Sequence, residues 1–218
     1  MNIGIVGYGK MGRMIERIAT ERGIPVAVKV DDSEGITAEN FKGVDVAIEF
    51  SVPSAVIGNI EKLAALGVNV VVGTTGWQEK MDHVKDVVER SGIGLVWSPN
   101  FSIGVSAFFK IVNAAAKLMA EEPEYQAWAW EIHHSAKKDA PSGTLLKLVD
   151  EMRAAGYTAS VSVASNRAGS TPGTHEIGFD SAADTITLRH TARNREGFAL
   201  GAVKAAEWLA GKKGFYER

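Results

Sequence analysis

The sequence predicts an α/β protein: a parallel sheet with covering helices, then a smaller α+β unit with an open mixed sheet. Three observations support this fold class. Strand-like segments alternate with amphipathic helical segments through residue 97. A long apolar helix follows at residues 103–120, and further short strand-like segments lie beyond it. With 218 residues, 45% of them hydrophobic, the chain suffices for one large domain or two small ones.

Composition narrows the range of functions. The formal net charge of -2 disfavours nucleic acid and anionic membrane surfaces as partners. No stretch reaches the roughly 18 consecutive apolar residues that a membrane helix needs, so we expect a cytoplasmic location. The sequence contains no cysteine, which excludes disulfides, thiolate metal sites and cysteine nucleophiles.

A glycine-rich turn follows the first predicted strand, residues 2–6, and opens a helix. It has the spacing G-x-G-x-x-G, and after a second strand at residues 25–30 Asp31 is placed to accept the ribose hydroxyls of a dinucleotide. In this interpretation Gly7 permits the tight turn, Gly9 lets the backbone approach the pyrophosphate, and Gly12 allows close packing of helix on strand. The alternative is a plain βαβ unit with a glycine-rich turn.

The alternation continues with strands at residues 44–50, 68–72 and 93–97 and helices at 53–66 and 77–90. Two of these strands end in polar turns, GTTG at residues 73–76 and SPNFS at residues 98–102. Ligands of open α/β sheets collect at the carboxyl ends of strands, so both turns are candidate contacts on the nicotinamide side of a dinucleotide. Simple chain reversals are the alternative, since Gly, Pro, Asn and Ser are common turn residues.

The most chemically dense segment is EIHHSAKKDAPSGT at residues 131–144. The preceding residues alternate Trp128, Trp130 and Ile132 with smaller or polar neighbours, which predicts a half-buried strand over residues 125–132. His133 and His134 therefore lie at a strand end.

A helix is predicted to begin at the end of this segment. Pro141 suits its first turn, and Ser142 or Asp139 can cap it. The free backbone N–H groups of Gly143 and Thr144 then favour an anion, and a carboxylate fits. Two imidazoles and a lysine beside such a helix end indicate proton transfer to a substrate that carries carboxylates. A surface turn with incidental polar residues is the alternative.

The second unit is expected to start near residue 102, with later strands at 161–164, 175–179 and 185–191 and a loop at 166–174. An alanine-rich helix at residues 197–209 is able to return to the first unit. His175 and His190 are interpreted as hydrogen-bonded scaffold within strands, and His83 as a residue of a solvated helix. The tryptophans are expected in the core or an interface. No metal site is predicted, because the adjacent histidines lack the i, i+4 spacing of a helical zinc site.

Five motifs together resemble the 4-hydroxy-tetrahydrodipicolinate reductases, also called dihydrodipicolinate reductases: GYGKMG, GTTGW, SPNFSIGV, EIHHSAKKDAPSGT and HTARNREGFALGA. The resemblance spans nearly the whole chain. It implies a Rossmann domain, residues 1–102 and 193–218, and an inserted substrate and tetramer-forming domain, residues 103–192. It also implies NAD(P)H-dependent reduction of a cyclic dicarboxylate on the route to diaminopimelate and lysine.

The resemblance also implies residue roles. His133 matches the proton donor and Lys137 the second catalytic position, while His134, Gly143 and Thr144 match substrate contacts. The cofactor contacts implied are Gly7, Tyr8, Gly9, Lys10, Met11, Gly12, Asp31, Gly73, Thr74, Thr75, Ser98, Pro99, Asn100 and Phe101.

Two departures qualify the resemblance. Asp32 stands where some relatives carry an arginine, so NADH is expected to be preferred over NADPH. The substrate domain is compact, which affects the contacts available to form the expected homotetramer. Two rivals remain: another Rossmann oxidoreductase acting on a small dicarboxylate, and a non-catalytic NAD(H) sensor. Aspartate-semialdehyde dehydrogenase would require a catalytic cysteine, which this sequence lacks.

Overall fold

The computed structural model describes residues 1–217 and divides into two compact units. The first comprises Met1–Ile103 and the chain from Glu196 onward, and the second comprises Gly104–Arg195. The strands are β1 Ile3–Val6, β2 Val26–Val30, β3 Val46–Glu49, β4 Asn69–Val72, β5 Gly94–Trp97, β6 Gln126–His133, β7 Val161–Arg167, β8 Thr174–Asp180, β9 Thr185–Thr191 and β10 Gly214–Glu217. The helices are α1 Lys10–Glu21, α2 Val56–Ala65, α3 Met81–Ser91, α4 Ile103–Met119, α5 Gly143–Ala154 and α6 Glu196–Leu209.

The first unit is built on a parallel six-stranded sheet in the order β10-β5-β4-β3-β1-β2. Its central strands are buried and rich in valine and isoleucine, as expected where helices cover both faces of a parallel sheet. Helix α6 packs against α1 and beneath β3 to β5, where its alanines allow a close approach. A Cβ on Gly201 would collide with the carbonyl oxygen of Phe101.

Several boundaries in the first unit differ from the sequence prediction. The helix expected over residues 53–66 begins at Val56, and the one expected over 77–90 begins at Met81 after a short 3-10 turn, Gln78–Lys80. Strand β10 was not predicted, because four residues carry little periodicity. Its position is fixed by pairing with β5.

The second unit is a four-stranded sheet in the order β7-β6-β8-β9. Strands β6 and β7 are parallel, whereas β8 runs antiparallel to both β6 and β9, so the sheet is mixed as predicted. Side chains of α4 and α5 pack with those of the sheet in one hydrophobic core, which includes Phe108, Leu148, Ile177 and Phe179.

The structure shows which face of β6 is buried. Ala127, Ala129, Glu131 and His133 lie on the covered face, and the tryptophans alternate onto the half-exposed one. The small alanine side chains let the helices approach the sheet closely. Because side chains alternate along a strand, Glu131 and His133 lie on this covered face and the indoles lie on the other. The strand is half-buried, as predicted.

Two local predictions in the second unit were wrong. Strand β7 continues to Arg167, so the loop expected over residues 166–174 is limited to 168–173 between β7 and β8. Pro141 lies before the helix cap, not in the first turn, because the extended backbone of Ser142 makes it the residue that caps α5. Within residues 1–217, no helix has both the length and the apolar character needed to cross a membrane.

Candidate functional site

The glycine-rich loop of the first unit has the geometry of a pyrophosphate cradle. Gly7 has a φ of 89°, and a Cβ there would collide with the Phe50 carbonyl oxygen. A Cβ on Gly12 would collide with the Gly7 carbonyl oxygen, so this glycine lets α1 pack closely against the turn. Gly9, the cap of α1, has open space around its missing Cβ and makes no side-chain cap hydrogen bond. The loop therefore fits a dinucleotide phosphate, which helix N-termini favour.

The acidic pair after β2 is held by backbone amides. Asp31 accepts a hydrogen bond of 2.9 Å from the Tyr8 backbone nitrogen, which fixes its carboxylate beside the glycine-rich loop. Asp32 accepts from the backbone nitrogens of Glu34 and Gly35 at 3.0 and 3.3 Å and so caps a short 3-10 turn. Asp31 thus lies beside the glycine-rich loop at the end of β2, and Asp32 caps the following turn in addition to carrying a charge.

A cleft of about 250 Å³ lies at the carboxyl edge of the same sheet. Its lining residues are Met11, Phe50, Ser51, Pro53, Gly73, Thr74 and Thr75. Gly73 is required here because a Cβ would occupy the space of the Phe50 ring.

Glu49, the last residue of β3, is fully buried behind this cleft. Its carboxylate accepts hydrogen bonds from Thr74 Oγ1 at 2.6 Å, from Asn59 Nδ2 at 3.1 Å, and from both the backbone nitrogen and the hydroxyl of Ser51. Burial raises the pKa of Glu49 above its ordinary value, although these hydrogen bonds oppose the rise. The carboxyl therefore ties together the two turns that line the cleft.

The remaining predicted cofactor residues lie beside this edge. The Trp77 and Trp97 indoles donate to the Thr74 carbonyl oxygen at 2.7 and 3.3 Å and hold residues 73–75 in place. After β5, the Ser98 hydroxyl donates to the Asn100 carbonyl oxygen at 3.0 Å, while the side chain of Phe101 is buried in the core. Lys10 is exposed in the first turn of α1.

In the second unit, the segment 131–144 wraps around a second buried carboxylate, that of Glu131. Ser142 caps α5 by accepting from the Leu145 backbone nitrogen at 3.2 Å, and its own backbone nitrogen donates to Glu131 Oε1 at 2.8 Å. The Ser142 hydroxyl also donates to Glu131. Gly143 and Thr144 follow as the first two residues of α5, so their amides belong to the helix N-terminus, as predicted.

His133 lies on the buried face of β6 with only 7% of its surface exposed. Its Nδ1 is 3.5 Å from Glu131 Oε2, and its ring meets that of His175 edge-on with centroids 5.0 Å apart. Burial lowers the pKa of His133 below its ordinary value, while the Glu131 charge opposes that effect. The pKa of His175 is lowered further, to about 4, mainly by burial.

The other two predicted polar residues lie in the loop between β6 and α5. His134 is half-buried next to the strand end, and its carbonyl oxygen accepts from the Lys137 backbone nitrogen at 3.1 Å. The Lys137 ammonium pairs with Asp139 at 2.7 and 2.9 Å and retains 24% side-chain exposure. Its charge acts on His133, since it contributes to lowering the pKa of that imidazole.

Sequence reasoning missed several partners of this cluster. Arg167 Nη2 donates to Glu131 Oε1 at 2.8 Å, and His175 Nε2 is 3.4 Å from Glu131 Oε2. Gly173 was also missed, and a Cβ there would lie 2.8 Å from His133 Nε2. Residue spacing along the chain gives no signal for contacts between separate strands. Glu49, in contrast, left a signal in the sequence, because it is a charged residue in an otherwise apolar strand.

Glu131, His133 and His175 present atoms within 4.8 Å of one another, a spacing that a metal ion can bridge. The Arg167 guanidinium on the same carboxylate opposes a further cation there.

The fold and the two clusters are those expected of a two-unit oxidoreductase that binds a dinucleotide. Comparison with known families makes the class specific. The model described as "Dihydrodipicolinate reductase, N-terminus" matches residues 1–101, and "Dihydrodipicolinate reductase, C-terminus" matches residues 104–218. The chain belongs to the dihydrodipicolinate reductase family.

Relatives and structural neighbours agree with this assignment. The 4-hydroxy-tetrahydrodipicolinate reductase of Christiangramia forsetii is 36% identical, over 99% of this chain and 95% of the relative. That of Archaeoglobus fulgidus is 35% identical, over 99% and 97%. A dipicolinate-bound dihydrodipicolinate reductase structure from a Paenisporosarcina species has a TM-score of 0.76 at 21% identity, covering 100% of this chain and 97% of that one, and supports the fold. The predicted family and fold class are confirmed.

Proposed function

We propose that this protein catalyses the NAD(P)H-dependent reduction of 4-hydroxy-tetrahydrodipicolinate to tetrahydrodipicolinate. Water is lost from the substrate first, and a hydride and a proton are then added to the dihydrodipicolinate that results. The observation that carries the proposal is the cluster in the second unit. There Glu131 contacts both the buried His133 and the N-terminus of α5, a helix end suited to a substrate carboxylate.

The first unit is proposed to bind the dinucleotide. The backbone at Gly7, Gly9 and Gly12 receives the pyrophosphate, and Asp31 accepts the ribose hydroxyls. Residues 73–75 and 98–101 border the nicotinamide. When bound, a reduced nicotinamide supplies the hydride. The chain's own contribution is to fix the two turns, chiefly through Glu49 and the paired indoles.

The second unit is proposed to bind and protonate the substrate. The amides of Gly143 and Thr144 and the side chain of His134 hold carboxylates, while Lys137 stabilises negative charge that develops in the reaction and aids loss of the hydroxyl group. His133 delivers the proton. A bound dianionic substrate favours protonated His133, because negative charge raises the pKa of a neighbouring imidazole.

The test is whether the purified protein oxidises NADH when supplied with the product of dihydrodipicolinate synthase chemistry. Absorbance at the nicotinamide band should fall only when that substrate is present, and tetrahydrodipicolinate should accumulate in equal amount. Binding of NADH without turnover, over a range of pH and substrate concentration, would favour the non-catalytic sensor and contradict the proposal.

A preference for NADH over NADPH is part of the proposal. The carboxylates of Asp31 and Asp32 are both held by backbone amides after β2 and would repel a 2′-phosphate. Lys29, the nearby cation on β2, is already paired with Glu16 at 2.7 Å. Repulsion at an effective dielectric near 20 amounts to a few kcal/mol at most, so NADPH should be used less well rather than excluded. Values of kcat/KM for the two cofactors at equal ionic strength test this, and a clear NADPH preference would contradict it.

We also propose a homotetramer that associates through the sheet of the second unit. Its open face carries Trp128 and Trp130, half-exposed indoles of the kind enriched at protein interfaces. Light scattering of the purified protein should give four times the chain mass. A monodisperse monomer at micromolar concentration would overturn this assembly.

A further inference from the structure

Glu131 is fully buried in the second unit. It lies two residues before His133 on one strand, and residues i and i+2 of a strand point to the same face. Its Oε2 faces two imidazoles, 3.5 Å from His133 Nδ1 and 3.4 Å from His175 Nε2. Its Oε1 accepts from Arg167 at 2.8 Å, Ser165 at 3.1 Å and the Ser142 backbone at 2.8 Å. One carboxylate thus joins the proton donor to the cap of α5.

These partners keep the carboxylate ionised. Burial alone would raise the pKa of Glu131, but the hydrogen bonds from Ser142 and Arg167 outweigh burial and hold that pKa below its ordinary value. A permanent negative charge therefore lies next to the Nδ1 edge of His133.

The remaining charged and titratable groups around His133 do not replace this charge. Lys137 and Arg167 disfavour a protonated imidazole, whereas Asp139 acts in the same direction as Glu131, more weakly and from the solvent-exposed loop. His175, packed edge-on from β8, has a pKa of about 4 and so is neutral near pH 7. Without Glu131, the buried imidazole of His133 would hold a proton less readily still.

We propose that Glu131 is the positioning residue that favours the protonated form of His133 and, through the same carboxylate, fixes the α5 N-terminus that binds a substrate carboxylate. The inference rests on the proposed function. As the substrate carbon accepts the proton, the His133 N–H bond breaks and its electron pair stays on the imidazole. The ring is left neutral and Glu131 stays ionised throughout. One residue, Glu131, thus positions both the acid, His133, and the helix N-terminus that binds the substrate carboxylate.

The test follows the protonation of His133 and the pH profile of kcat in Glu131→Gln, which keeps the size and loses the charge. The ring-proton NMR signal of His133, assigned with His133→Gln among the five histidines, should titrate at lower pH than in the wild type. The alkaline limb of kcat should move down with it by about 1 pH unit or more, since an opposite charge at this range shifts an imidazole by that order.

Two further variants keep the test decisive. Glu131→Asp, which withdraws the carboxylate by one methylene, should shift both midpoints in the same direction as Glu131→Gln but by a smaller amount. It replaces Glu131→Gln in the test if that variant does not fold. Ser165→Ala removes a hydrogen bond to Glu131 but no charge, and should leave both midpoints in place. A uniform loss of kcat with unmoved midpoints would overturn the inference and leave Glu131 purely structural.

The NMR titration needs no substrate, so it separates this inference from the proposed function. A shifted His133 midpoint in a protein that does not oxidise NADH would support the role of Glu131 in protonation while refuting the reductase assignment. Reductase activity in the wild type, together with a His133 midpoint that does not move in Glu131→Gln, would support the reductase assignment and refute the role of Glu131.

Discussion

Glu49 and Glu131 are both fully buried near strand ends, and each accepts a hydrogen bond from a serine hydroxyl. The other groups around the two carboxyls differ. Glu49 is held by neutral donors, the side chains of Ser51, Asn59 and Thr74, and burial raises its pKa. Glu131 has a guanidinium and two imidazoles around it, and its pKa is lowered despite burial.

This difference separates the tasks of the two units. Neutral hydrogen bonds fix the geometry of a loop without placing a strong field in it, which suits a binding cleft. Ser142 and the Arg167 guanidinium together keep the Glu131 carboxylate ionised, and its negative charge favours the protonated form of His133. The donors around a buried acid, rather than the acid itself, thus indicate which cluster supports proton chemistry.

The largest expected effect comes from removing the proposed acid. His133→Gln should lower kcat by about 10²- to 10⁴-fold, the usual loss for a positioned general acid. Lys137→Ala should also lower kcat, whereas His134→Gln should raise KM more than it lowers kcat. The affinity for NADH, measured by fluorescence titration, should survive all three changes because the dinucleotide belongs to the first unit. Near-normal kcat in both His133→Gln and Lys137→Ala would refute the assignment of proton chemistry to residues 131–144.

A second prediction compares the partners of the two glutamates. Arg167→Ala leaves Glu131 buried without its guanidinium and should reduce the free energy of unfolding by about 3 kcal/mol, the low end for a broken buried pair because the arginine side chain keeps 16% exposure. Thr74→Val removes a neutral donor from Glu49 and should cost about 1 to 2 kcal/mol. Urea unfolding of both variants measures the difference. Equal losses would mean that the two clusters are not electrostatically distinct.

A smaller effect is expected at Gly173, whose missing Cβ leaves room for the His133 ring. Gly173→Ala places a methyl group about 2.8 Å from Nε2 and should lower kcat roughly tenfold by displacing the acid, with NADH affinity unchanged. Gly169→Ala is the matched control in the same loop, since it also has a positive φ but open space at its Cβ. Similar kcat values for the two variants would argue against a steric role for Gly173.

The features predicted correctly from the sequence are mostly local ones. The glycine-rich turn, the alternation of strands and helices, and Ser142 as one of two candidate caps are properties of short segments, and short segments carry them visibly. Arg167 and His175 were missed because they reach Glu131 from β7 and β8, 36 and 44 residues along the chain. The buried face of β6 was not specified either, since an alternating strand with indoles on one side is compatible with covering either face.

The difference between the two carboxyls is measured by a pH titration of the glutamate side-chain carboxyl carbons by ¹³C NMR, with Glu49→Gln and Glu131→Gln used for assignment. Glu131 should titrate below the ordinary glutamate value, because Ser142 and Arg167 favour its ionised form, and Glu49 should titrate above it, because burial disfavours ionisation. At any pH near the ordinary glutamate value, Glu131 should therefore be ionised in a larger fraction of the molecules than Glu49. Midpoints on the same side of the ordinary value, or in the reverse order, would contradict the account.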